Sequence, residues 1–164
     1  MTQPKIIERP EQPYVAIRAT TTMNGIESTA PRLFSEIWGW VSLKGVPTGC
    51  GAILKYNVID MERGLELEFC APTIERIPAA NNVISGVLPA GRYATLLYRG
   101  PYNGLYEANA ALIGWGRENG IRWDSEQTPG GERFACRMEI YLTDPQSEPD
   151  PAKWETEVAI KLAD

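Results

Sequence analysis

The sequence predicts an α+β fold. Two copies of strand–helix–strand–strand build one curved antiparallel sheet, with both helices on one face and a ligand cleft on the other. Three observations carry this. Apolar spacing switches from a period of two to a period of three and four and back, twice along the chain. Tyr14 and Asn24-Gly25-Ile26 stand ten positions apart, as do Tyr93 and Asn103-Gly104-Leu105. Each helical stretch carries tryptophan in its second half, Trp38 and Trp40 in one and Trp115 in the other. A strand with a tyrosine before a turn then follows, "LKYNVID" and "EIYLTDP". One copy alone leaves a face of a small sheet open, and two side by side cover it. The pseudo-repeats run over about residues 4–72 and 82–163, inside one domain spanning residues 1–164.

The elements follow in order. Pro13 to Thr21 alternates Val15 and Ile17 against Tyr14, Ala16 and Arg18, a strand with two different faces. Ile26, Ala30, Leu33, Phe34, Ile37 and Val41 then recur at helical spacing, with Asn24 as a candidate start and Gly45 as the stop. Pro31 has to lie near the first turn or mark a break. "GAILKYNVI" and "GLELEFCA" are strands joined by the polar turn "DMER", and "APTIERIPAANN" is a Pro-rich connector. The pattern restarts with the strand Tyr93 to Arg99. A helix with Leu105, Ala108, Leu112 and Trp115 on one side follows, ending at Gly120. "ERFACRMEIYLTD" and "WETEVAIKLA" close the second copy, while "DSEQTPGGER" and "PQSEPDPAK" read as loops.

Composition limits the chemistry. The 164 residues, 43% apolar and 23% charged, suit an ordinary globular chain with a real core. No apolar run is long enough to span a bilayer, and no basic start leads into an apolar stretch, so a cytoplasmic location is expected. Cys50, Cys70 and Cys136 are odd in number and lack metal-ligand spacing, which predicts reduced, mostly buried thiols and no metal. A net charge of −5 without a Lys/Arg cluster argues against direct nucleic-acid binding. The absence of histidine excludes Ser-His-Asp and Cys-His chemistry. Any catalysis falls to carboxylates, tyrosines, lysines or thiols, and no cofactor motif is present. "GCGAIL" lacks the Lys-Ser/Thr of a phosphate loop, and "GWGREN" lies at a helix end without the strand a dinucleotide site needs.

The stretch "RMEIYLTDP" draws attention because Glu139 sits in mid-strand. By alternation Arg137, Glu139 and Tyr141 share one face and Met138, Ile140 and Leu142 the other. The apolar set is expected beneath the helices, which sends Glu139 and Tyr141 to the open face. The repeat pairs Tyr56 with Tyr141 and Leu54 with Glu139, so two tyrosines should flank a single carboxylate. Tyr14 and Tyr93 should look into the same concavity. Trp38 and Trp40, two apart, cannot share a helical face, and Trp40 is assigned to the pocket rim. The plainer alternatives are a solvated Glu139 or one paired with Arg137, and Tyr56 and Tyr141 as ordinary strand aromatics. Glu66, Glu68, Glu155 and Glu157 alternate with apolar neighbours and read as solvated edge charges.

"PAGRYATLLYRGPYNGLYEANAALIGW", "MEIYLTDP" and "WETEVAIKL", in that order, resemble the GyrI-like effector-binding domain, from about Ile6 to Leu162. This is the ligand module of MerR- and AraC-type multidrug regulators, found also in free-standing gyrase-modulating proteins. The resemblance implies a pocket for amphipathic, aromatic or cationic small molecules. In BmrR-like members a glutamate in a matching "E-I-Y" strand lies at the pocket floor, a position held here by Glu139. It also implies an alternative, a cofactor-free hydrolase of cyclopropane-containing molecules, in which Glu139 acts as base and Tyr141 as hydrogen-bond donor. No helix-turn-helix segment accompanies these motifs, so what carries over is ligand binding. The expected ligand-binding set is Glu139, Tyr56, Tyr141, Tyr14, Tyr93, Leu54 and Trp40. Expected partners are a small molecule and, further off, gyrase or a separate regulator. The chain is expected as a monomer or homodimer.

Overall fold

The computed structural model describes residues 1–49 and 51–164; Cys50, one of the three thiols expected to be buried, lies outside the described residues. Its elements run β1 (Lys5–Arg9), β2 (Gln12–Thr21), α1 (Ile26–Lys44), β3 (Ala52–Asp60), β4 (Gly64–Pro72), β5 (Ile84–Leu88), β6 (Gly91–Arg99), α2 (Leu105–Glu118), β7 (Ser125–Thr128), β8 (Gly131–Phe134), β9 (Arg137–Tyr141) and β10 (Glu155–Lys161). Eight strands form a curled antiparallel sheet in the order β1-β6-β10-β9-β3-β4-β2-β5, and the β7–β8 hairpin hangs from β3. The duplication is visible in this order. β2, β3 and β4 with α1 mirror β6, β9 and β10 with α2, and β3 pairs with β9 at the centre. The edge strands are exchanged between halves: β1 precedes β2 in sequence but pairs with β6, and β5 precedes β6 but pairs with β2.

Both helices lie on the same face. α1 crosses β2 and β4; α2 crosses β6 and β10. The first core joins Leu33, Ile37 and Val41 of α1 to Val15, Ile17, Leu54, Leu67 and Phe69. The second joins Leu105, Ala108 and Leu112 of α2 to Ala94, Leu96, Val158 and Ile160. Burying each such side chain stabilises the fold by about 1.5–3 kcal/mol before entropy is counted. The central β9–β3 pair is thereby left as a floor between the two helices.

Several local expectations change. α1 begins at Ile26 with Gly25 as its N-cap and no side-chain cap, so Asn24 does not hold its start; the Gly25 amide is tied back to Thr22 instead. The Gly25 amide donates to Thr22 Oγ1 at 3.1 Å and to the Thr22 carbonyl at 3.0 Å. Pro31 falls inside α1 without ending it, at the sixth helical position, where it removes the amide that would bond to the Glu27 carbonyl. Gly45 does stop α1, in the left-handed region at φ 67° that an L side chain rarely adopts. "DSEQTPGGER" is not a loop but contributes β7 and β8, and β1 and β5 are strands beyond the predicted set. These segments alternate too briefly, and with too few apolar residues, for periodicity to reveal them.

A third apolar cluster lies on the face away from the helices: Tyr14, Ala16, Ile53, Cys70, Leu88, Tyr93, Cys136, Met138, Ile140 and Ala159. Both sides of this sheet are therefore buried. Cys70 and Cys136 are free buried thiols. No helix among the described residues is long and apolar enough to cross a membrane.

Candidate functional site

Strand alternation places Glu139 correctly with Tyr141 and Leu54, but on the opposite face from the one expected. Met138 and Ile140 point away from the helices into the third cluster, and Glu139 points into the gap between α1 and α2. The inference that the apolar set must face the helices failed for a physical reason. Both faces of the sheet are covered, so an apolar phase fits either one.

Glu139 is 4% exposed. It stands directly across from Leu54, its equivalent in the other repeat, in the central pair, with Tyr141 opposite Ala52 and Tyr56 two residues beyond Leu54 along β3. Its carboxylate accepts three hydrogen bonds: from Tyr141 Oη at 2.6 Å, from Asn109 Nδ2 of α2 at 3.0 Å and from Tyr56 Oη at 3.2 Å. All three donors are neutral. Among the described residues no ion pair reaches Glu139, and the expected alternative of an Arg137 partner is not realised. Arg137 lies instead over the Phe134 ring, its Cζ 5.0 Å from the centroid.

The energetics follow from this donor set. Burial pushes the Glu139 carboxyl above its ordinary value, and the bonds from Tyr141, Asn109 and Tyr56 and the more distant Arg137 charge only partly oppose it. The same burial, followed by the adjacent carboxylate, pushes Tyr56 and Tyr141 well above the usual phenol range. Both rings therefore stay protonated and act as donors.

Aromatic rings close the gap above. Phe34 of α1 meets Tyr141 edge-on at 6.0 Å between centroids. Tyr102, in the short 3-10 turn Tyr102–Gly104 before α2, lies 5.3 Å from Tyr141, and Trp154 stacks on Tyr102 at 4.8 Å. That turn depends on Gly104, where an added Cβ would collide with the Tyr98 hydroxyl at 2.0 Å.

Not every predicted site residue joins this group. Tyr14 and Tyr93 are out of phase with the residues under the helices, as read, but this puts them on the face opposite Glu139. Tyr14 donates to Glu68 Oε1 at 2.5 Å, and Tyr93 donates to the Pro89 carbonyl at 2.7 Å. Trp38 and Trp40 both pack half-buried against the α1 core. Asn109, Phe34, Tyr102 and Trp154 were missed. Asn109 carried a signal: it is a polar residue next to the buried Ala108, three residues before the buried Leu112. The rings of Tyr102 and Trp154 come from turns, where no periodicity points.

Glu68 is the larger correction. It is 2% exposed rather than solvated and sits on the helix-free face. Its oxygens accept from Tyr14, from Asn57 Nδ2 and from Arg18 Nη2 at 3.3 Å, and Lys55 Nζ lies 3.7 Å away. Burial raises its pKa, but the Lys55 charge, the Tyr14 and Asn57 bonds and Arg18 together bring it below the ordinary carboxylate value.

Comparison with known proteins agrees with this architecture. The model of a family described as the GyrI-like small molecule binding domain matches residues 2–163. Among solved structures, EcmrR in a complex with DNA superposes with a TM-score of 0.78 at 22% identity over 98% of this chain. This chain spans only 57% of that one. The EcmrR C-terminal domain alone gives a TM-score of 0.75 at 21% identity, covering 98% of this chain and 97% of that one. SAV2435 bound to tetraphenylphosphonium gives 0.67 at 13% identity, covering 99% and 94%. At these identities the likeness is one of fold. None of the curated proteins matches the sequence.

Proposed function

This chain belongs to the GyrI-like small-molecule-binding domain family, and from that premise we propose that its ligand is an amphipathic aromatic cation held between α1 and α2 above Glu139. The observation that carries this reading is a buried carboxylate whose hydrogen-bond partners are all neutral. A positive charge is the one thing the cage lacks. A flat cation entering beside Glu139 restores the solvation that burial removed. It also meets the faces of Phe34, Tyr102, Tyr141 and Trp154, each cation–π contact contributing about 0.5–2 kcal/mol. Entry requires the Tyr102 ring, already 39% exposed, to swing off Tyr141. That a fold relative holds tetraphenylphosphonium makes this compound a natural probe.

The test is a tryptophan-fluorescence titration with tetraphenylphosphonium and with triphenylphosphine oxide, a neutral analogue. The cation should quench saturably. Glu139→Gln should weaken the cation on the order of tenfold or more and leave the neutral compound almost unchanged. Equal loss for both compounds, or none for either, removes Glu139 from the binding role.

A second reading rests on the 2.6 Å bond between Tyr141 Oη and Glu139, an arrangement suited to a base with an adjacent hydroxyl donor. Oε2 accepts from Tyr56 and Asn109 and Oε1 from Tyr141 alone, so one acceptor position on Oε1 is left for a water. Incubation with strained electrophiles and esters tests it. Turnover that disappears in Glu139→Gln supports a hydrolase, and saturable binding without product supports the cation site alone.

A further inference from the structure

The helix-free face holds a cavity of its own, about 550 Å³, lying over the Glu68 cluster. That volume is in the range of small-molecule sites. Tyr14, Asn57, Glu68, Lys55 and Arg18 line it from β2, β3 and β4, and Gly86 of β5 lets the Tyr14 ring lie flat against the strand. An added Cβ there would stand 2.7 Å from the Tyr14 hydroxyl. The β7–β8 hairpin supplies the opposite wall with Glu126 and Arg133.

The hydrogen-bond capacity of this floor shows what is missing. Glu68 accepts from Tyr14 at Oε1 and from Asn57 and Arg18 at Oε2, three of its roughly four acceptor positions. Lys55 carries three N–H donors but commits one, to Asn57 Oδ1 at 2.6 Å; Glu68, at 3.7 Å, is an ion-pair partner beyond hydrogen-bond distance. Arg18 makes one 3.3 Å bond to Glu68, and its side chain is 53% exposed. Two cations thus face one buried carboxylate, leaving an excess positive charge and uncommitted donors on residues that line the cavity.

The rim has the reverse character. Asp124 is held by Lys161 Nζ at 2.9 Å, whereas Glu126 is exposed and forms no ion pair among the described residues. Arg133 is drawn toward Glu66 at 3.8 Å. An anionic head therefore fits the floor, and a donor or cationic end fits the hairpin. Polyanions are disfavoured by the rim acids. Apolar cations are disfavoured by the floor.

We propose that the helix-free face carries a second binding site, for a small zwitterion of the amino-acid type, whose carboxylate meets Lys55 and Arg18 and whose ammonium meets Glu126. This site is independent of the one above Glu139 and takes the opposite charge at its floor.

The test is nitrogen-15 NMR of the full chain titrated separately with γ-aminobutyrate, acetate, inorganic phosphate and tetraphenylphosphonium. The zwitterion should saturate, with shifts in β3, β5 and the β7–β8 hairpin. Acetate should bind the same residues more weakly. Arg18→Gln, at an exposed position where folding is safe, should weaken γ-aminobutyrate on the order of tenfold, and Glu126→Gln should remove its advantage over acetate. Lys55→Met should abolish binding, with a melt run alongside to confirm folding. Absence of saturation with every carboxylate, or shifts confined to α1 and α2, overturns the site. Phosphate binding more tightly than the zwitterion overturns the ligand class.

Discussion

The sheet buries two glutamates back to back, and they solve the same problem in opposite ways. Glu139, between the helices, is held only by neutral donors, so burial wins and its pKa rises. Glu68, on the other face, is equally buried but has Lys55 and Arg18 nearby, and its pKa falls. A carboxylate with its own counter-charges is part of the framework. The proposed cation site rests on the other case, a carboxylate whose charge has no partner within the fold. Burial is common to both acids; the charge of their partners is what separates them.

The largest expected effect tests the framework side. Glu68→Gln leaves the nearly buried Lys55 without its carboxylate and should lower stability by about 3 kcal/mol at neutral pH, read from urea denaturation. A loss below about 1 kcal/mol would make Glu68 no more structural than Glu139.

Next in size is the pH dependence of tetraphenylphosphonium binding. A cation prefers ionised Glu139, whose pKa is raised in the free protein. Affinity should therefore climb with pH, by up to about tenfold per unit, until that raised pKa is passed, and then level off. Affinity flat through the acid range would mean that Glu139 keeps its charge without a ligand.

Asn109→Ala removes one of the three donors. It should cost about 1 kcal/mol and push the Glu139 pKa further up, measurable by carboxyl NMR titration.

The smallest effect is the sharpest contrast. Glu139→Gln should change stability by less than about 1 kcal/mol, because the amide oxygen can take the Tyr56 and Asn109 bonds and its NH₂ can donate to Tyr141. The pH profiles should differ in sign. A raised folded pKa means the folded state holds its proton more tightly, so Glu139 lowers stability as pH rises from the ordinary carboxylate value to the raised one. Glu139→Gln should flatten that decline. Glu68 has a lowered folded pKa; its stabilisation is present above the ordinary value and lost as pH falls through the lower one. Glu68→Gln should shrink the acid-side loss instead.

Much of the fold was legible in the residues. The repeat located both helices and matched Leu54 with Glu139 as equivalent positions of the two halves; that the two face each other across β3 and β9 is decided by the sheet order. Tyr56 and Tyr141 were paired for the same reason and do converge on one carboxylate. Less of the site was legible. Tyr14 and Tyr93 were grouped with Glu139 although they lie behind the sheet, and Glu68 looked solvated because Glu-Leu-Glu-Phe alternates as an edge strand would. Tyr102 and Trp154 are far apart in sequence and meet only when the turn before α2 folds onto the loop before β10.

By itself the sequence determined the periodicities, the duplication and which side chains share a strand face, since these follow from local geometry and spacing. Only the tertiary structure decided which face the helices cover, where each buried carboxylate finds its donors and which of the two keeps a cation beside it. Alternation has two equivalent phases, and when both sides of a sheet are apolar no local rule chooses between them. The choice is made by packing between residues distant in the chain, and the charge environment of Glu139 and Glu68 follows from it.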